Sequence, residues 1–136
     1  MKIEIKDKEY ELKWDLQAID YLDKVYTLDF NMAGQTMSFG AGLQSGVAQL
    51  NMGNPLVLFH FLKAGLKHYK GINFKDETIE KALYERAEKD DGLDKLTKDI
   101  RKSLKVNPLT RQSVSSLDEE VEEVKEKAHK KKKEDK

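Results

Sequence analysis

Polar and apolar residues alternate over Lys2-Ile3-Glu4-Ile5-Lys6 and again over Tyr10-Glu11-Leu12-Lys13-Trp14, the period of two that marks a strand with one buried face. Ile3, Ile5, Tyr10, Leu12 and Trp14 would form that face, with Asp7-Lys8-Glu9 as the turn. Two strands alone are marginal in water, so this hairpin must lie on the helices that follow.

The period then changes. Asp15 is a good N-cap for a helix of roughly 16–27, with Leu16, Ile19, Leu22 and Tyr26 facing the core and Asp20, Asp23 and Lys24 facing water. From Leu28 to Thr36 the pattern loosens around Asn31, Gly34 and Gln35. Ser38 could cap a second helical segment of roughly 39–50 that contains Gly40, Gly42 and Gly46. Asn54 caps the next helix, and Pro55 sits at its first position, where a missing N–H costs nothing. That helix is expected to reach about Tyr69, with Leu56, Phe59, Leu62, Leu66 and Tyr69 along one side. Val57, Leu58 and Phe61 make it apolar over more than half its circumference, which places it at the centre of the fold.

Past Gly71 the chain becomes more charged. Asp76 is a candidate cap for a helix of about 77–89 with Ile79, Leu83 and Ala82 inward, and Asp90-Asp91-Gly92 reads as its stop. Leu93, Leu96, Ile100 and Leu104 define another amphipathic helix, broken by Asn107-Pro108. The polar stretch 110–116 reads as a linker. In 117–136 only Leu117, Val121, Val124 and Ala128 are apolar, a coiled-coil-like seam of under two heptads. Its acidic start and basic end complement the helix dipole. The segment reads either as a helix that orders on a partner or as a solubilising tail. The fold class is α+β: an N-terminal two-stranded antiparallel hairpin on a mainly helical body spanning 1–109, the linker 110–116, and a charged helical tail 117–136.

Charge and composition narrow the function classes. Lys and Arg number 25, as do Asp and Glu, so the net charge is zero and the basic footprint of a general nucleic-acid binder is missing. Without cysteine there is no disulfide, thiol nucleophile or thiolate metal site, which fits a reducing compartment. The longest apolar run, Leu56 to Leu62, is far short of the about 20 residues of a bilayer span. Glu4, an acid among the first six positions, does not suit a secretory signal. A protein of the cytoplasm is expected.

Candidate chemistry fails on spacing. Gly40-Ala41-Gly42-Leu43-Gln44-Ser45-Gly46 approaches a dinucleotide fingerprint, but its third glycine is one residue late and no strand directly precedes it. If Gly92 held the sixth position of a calcium loop, Ala87 and Lys98 would have to be ligands. His60, His68 and His129 cannot chelate a metal from one helix turn, and His60 between Phe59 and Phe61 reads as a core or boundary histidine. No nucleophile-elbow pattern surrounds any serine. No catalytic residue, cofactor or metal is assigned. The glycines suit close approach of another backbone, inside the fold or between subunits, or else a poorly ordered turn. Met32, Met37, Phe39 and Met52 lie in or beside connections, either tucked onto the core or presented to a partner.

Residues 6–66 resemble the tail assembly chaperones of long-tailed phages of Gram-positive bacteria. The resemblance is carried by Lys8-Glu9-Tyr10-Glu11-Leu12-Lys13-Trp14, by Ile19 and Leu22-Asp23-Lys24-Val25-Tyr26, by Gly40-Ala41-Gly42-Leu43, and by Leu50-Asn51-Met52-Gly53-Asn54-Pro55 with the apolar helix behind. Order and spacing make the match, since each motif alone is weak. It implies a protein with no reaction to catalyse, which binds the tape measure protein and keeps it soluble until tail tube subunits polymerise around it. It also implies residence in the host cytoplasm during assembly and absence from the mature virion. In this family a longer form often arises by ribosomal frameshifting, and Lys130 to Lys133 could be encoded by a slippery tract; such a form could reach the tail tube protein. The alternative is a structural tail or connector component retained in the virion.

A chaperone for a long helical chain needs an apolar groove, a charged exterior and contacts between copies. Leu43, Val47, Leu50, Met52 and Phe59 are the expected groove lining, and the Gly42–Gly46 face the expected surface for self-association. No nucleic-acid or membrane partner is expected.

Overall fold

A computed structural model describes residues 1–26, 28–32, 35–39 and 42–115, with side-chain surroundings given outside 27–42. Strands β1 (Lys2–Ile5) and β2 (Lys8–Glu11) pair antiparallel, with Ile5 opposite Lys8 and Lys2 opposite Glu11. The turn is therefore Lys6-Asp7, earlier than the pattern suggested. Both residues have positive φ, 51° and 65°, as a two-residue turn that follows the right-handed twist of its strands requires. Ile3, Ile5, Leu12 and Trp14 are buried and Tyr10 is half-buried, so the alternating face is the inner one.

Asp15 caps α1 (Leu16–Val25), its carboxylate accepting from the Ala18 N–H at 3.0 Å. Ala18 and Leu22 point inward and Ile19 and Tyr26 are half-buried, but Leu16 is 72% exposed. The small Ala18 takes the inward place that Leu16 was expected to hold. The stretch that seemed to loosen is a second antiparallel pair, β3 (Leu28–Met32) with β4 (Gln35–Phe39), Phe30 lying opposite Met37. Helix α2 (Gly42–Leu50) begins later than a Ser38 cap would give. The carboxylate near its start comes from α1: Asp23 Oδ1 accepts from the Leu43 N–H at 3.1 Å.

Helix α3 (Pro55–Gly65) is the centre of the fold, and α1, α2 and α4 (Asp76–Lys89) all pack on it. Asn54 accepts from the Leu56 N–H with Pro55 following, as the sequence implied, but the helix stops at Gly65 rather than near Tyr69. Val57, Leu58, Phe61, Leu62 and Ala64 are all at most 2% exposed. Truncating such a ring as Phe61 to Ala typically costs about 3–5 kcal/mol. Gly65 lets the extended chain after β2 lie directly on the end of the helix, where the Lys13 N–H donates to the Gly65 carbonyl at 3.0 Å.

In α4, Ile79, Ala82 and Leu83 face inward as expected, with Lys75 at the cap position and Asp76 in the first turn. The stop is formed by Asp91 and Gly92, both at positive φ. Helix α5 (Asp94–Val106) buries Leu96, Ile100 and Leu104. Arg86 joins the two helices by bonding to Asp90 and, at 2.6 Å, to Asp99. The stretch read as a linker differs: 111–115 is helical, Val114 and Thr110 are buried, and the Thr110 hydroxyl bonds to the Leu104 carbonyl at 2.5 Å. Buried Val114 and the Thr110 hydroxyl together tie this polar segment to the body. The charged tail beyond it lies outside the described residues. The architecture is α+β, with the N-terminal hairpin on a mainly helical body.

Candidate functional site

Three neighbours cover most of α3, and the side they leave uncovered is the start of the helix. Pro55, Leu56 and Phe59 lie there, facing the groove-side stripe of α4 formed by Glu80, Leu83, Tyr84 and Ala87, with Leu93 closing one end. The groove between them has a volume of about 440 Å³. Leu56 is 61% and Tyr84 71% exposed. Phe59, Ala87 and Leu93 are half-buried, so the floor is fixed while the walls are open to water. A contiguous apolar surface of this kind, walled by two helices, suits a third helix laid in it.

Charge around the groove is sparse. Glu80 is the one Asp, Glu, Lys or Arg in the lining. One turn after Phe59 on α3, Lys63 bonds to Asp76, one turn before Glu80 on α4, at 2.8 Å. That hydrogen bond raises the Lys63 pKa.

The sequence-predicted groove residues divide. Phe59 is in this groove, and Met52, 82% exposed, stands in the turn that leads into α3. Leu43, Val47 and Leu50 are buried in the core, at 9%, 0% and 0%, and offer a partner no surface in this conformation. Gly46 is buried as well: a Cβ there would lie 3.0 Å from the Tyr26 ring and 3.4 Å from Phe61. Its small size serves an approach of α2 to α1 and α3 within the fold, rather than a face between copies. Gly42 opens α2, and its surroundings, like those of Met32, Met37 and Phe39, lie outside the described ones.

Tyr84, Ala87 and Leu93 were not expected as groove residues, and Leu56 was placed on one side of α3 without being marked as exposed. A signal was present in α4, where Tyr84 is a lone aromatic among charged neighbours, off the Ile79–Leu83 stripe. For α3 no signal could separate the covered from the uncovered side, because the helix is apolar nearly all round.

A second concentration of titratable groups is on the α1–α3 seam. The Tyr21 hydroxyl and His60 Nδ1 are 2.9 Å apart, and Lys67 Nζ stands 4.8 Å from the Tyr21 ring centre. Burial lowers the His60 pKa, with Lys63 adding to the effect and Asp76 opposing it. Burial also pushes the Tyr26 phenol up to about 12. The pair is thus neutral at pH 7 and holds two helices together; neither residue lines the groove. Among the described residues no group of His, Cys, Asp and Glu could hold a metal, and no helix is long and apolar enough to cross a membrane.

A family model described as phage tail assembly chaperone protein, TAC, matches residues 2–120. No curated protein and no solved structure gives a significant match.

Proposed function

The chain belongs to the phage tail assembly chaperone family, and on that premise we propose that it binds the tape measure protein, without catalysis, through the groove between α3 and α4. The tape measure is taken to be a long helical chain whose apolar stripes are bare until tail tube subunits surround it. Covering those stripes keeps it soluble and leaves it competent for tube assembly. The observation that carries this reading is the open apolar groove with exposed Leu56 and Tyr84 walls over a fixed floor. Contact with tail tube subunits through a frameshift-extended form, association between copies, action in the host cytoplasm and absence from the mature virion belong to the same proposal.

Co-expression of the tape measure protein with this chain tests it. The unaltered chain should hold the tape measure in the soluble fraction, and Leu56→Asp with Tyr84→Asp should lose it while remaining folded, since both side chains are exposed. An unchanged soluble fraction with the double variant would overturn the groove assignment. Mass spectrometry of purified particles that found the chain at stoichiometric level would instead make it a retained tail component.

A further inference from the structure

The groove is apolar apart from Glu80, and no lysine or arginine lines it. Glu80 is exposed and makes no ion pair among the described residues. Of the two acids one turn earlier on α4, Asp76 is already matched by Lys63 and Glu77 is exposed. Beyond the other end of the groove, Asp91 and Asp94 are exposed on either side of Leu93, with Lys95 following. An unpaired carboxylate beside an apolar floor is stable while water reaches it. A chain that fills the groove removes part of that water, and must supply a cation or leave the charge poorly solvated.

We propose that the groove selects an amphipathic helix with a lysine or arginine flanking its apolar stripe, placed to pair with Glu80, and discriminates against helices flanked by acids. This rests on the groove being the docking surface and narrows what occupies it. From Glu80 to Ala87 the wall runs two turns of α4, about 10 Å, so the bound segment presents about two turns, with anchors at i, i+3 or i+4, and i+7. The discrimination is local. A chain with zero net charge has no overall excess of one sign to steer a ligand, so the sign preference comes from this one carboxylate and its acidic surroundings. Along a long helical partner such a rule would choose segments, where apolar burial alone would accept almost any stripe.

Two synthetic helical peptides with the same leucine stripe, one flanked by lysines and one by glutamates, provide the probe, read by fluorescence anisotropy against the full chain. The lysine-flanked peptide should bind more tightly, Glu80→Gln should weaken it about threefold, and Glu80→Lys should weaken it about tenfold at low salt, the differences shrinking as salt rises. Glu80→Lys should also reverse the preference in favour of the glutamate-flanked peptide. Equal binding of both peptides, abolished in each case by Tyr84→Asp, would overturn the charge rule and leave the groove assignment standing. Failure of both peptides to bind a folded chain would overturn the two together.

Discussion

Gly65 on α3 and Leu12 beside the hairpin touch so closely that a Cβ added to the glycine would lie 2.9 Å from the Leu12 Cβ. The clash is with an atom fixed to the backbone, so no rotamer change relieves it. Helical alanine is favoured over glycine by about 1 kcal/mol, whereas overpacking a core typically costs about 1–3 kcal/mol. Gly65→Ala should therefore be destabilising on balance, read as a lower urea midpoint. Gly46→Ala should cost less, because its nearest neighbour is the edge of the half-buried Tyr26 ring at 3.0 Å, a side chain that can shift by a few tenths of an ångström. The reverse ranking would mean that the hairpin is not seated on α3 in this way.

Trp14 should report on a second tether. Its indole N–H donates to the Ser103 hydroxyl at 2.9 Å, although the two residues are 89 positions apart. Trp14 is 3% exposed, so Ser103→Ala would leave a buried donor unpaired, a change of about 1–3 kcal/mol. Trp14 is the sole tryptophan, and its emission can follow the unfolding of wild type and variant directly.

Tyr26→Phe should be neutral or mildly stabilising. The hydroxyl is buried without a hydrogen-bond partner among the described residues, and removing an orphaned polar group forfeits no bond. Spectrophotometric titration should show one of the five tyrosines ionising near the displaced value of about 12, and the variant should lack it. A clear loss of stability in Tyr26→Phe would require a partner for that oxygen.

His60 gives the fold a pH dependence of definite sign. Burial lowers its folded-state pKa below the ordinary 6.5, so below about pH 6.5 the unfolded chain takes up the proton first. The stability associated with neutral His60 is fully present above that value and is lost as pH falls through the folded pKa. Lys63, on the same helix, opposes the charge, and Asp76 favours it. Urea midpoints measured from about pH 8 down to about pH 5 should fall more steeply for wild type than for His60→Gln. Parallel curves would remove His60 as the titrating group.

Much of the architecture was legible because it depends on local pattern. The alternation at Ile3, Ile5, Leu12 and Trp14, the Asp15 and Asn54 caps, and the stripes of α4 and α5 are each visible within one element. The β3–β4 pair was missed although Leu28, Phe30 and Met32 alternate, as do Met37 and Phe39, on either side of Ala33-Gly34. The glycine was given more weight than the period. The groove was harder to foresee, because it is made by two helices separated by a connection, and by which side of an almost uniformly apolar helix the others leave bare. Exposure of Leu56 and burial of Val47 are products of tertiary packing that neither residue's neighbours in sequence encode.

Strand β1 rests on α4, and the chain following β2 is tied to Ser103 and Asn107. During synthesis, then, the hairpin leaves the ribosome before the helices on which it finds its seat. A nascent chain shorter than about residue 107 carries Ile3, Ile5 and Trp14 with no finished platform beneath them, so any pause or early release within that span leaves a sticky translation product. Whatever protects other chains during tail building, this one must itself first survive its own emergence.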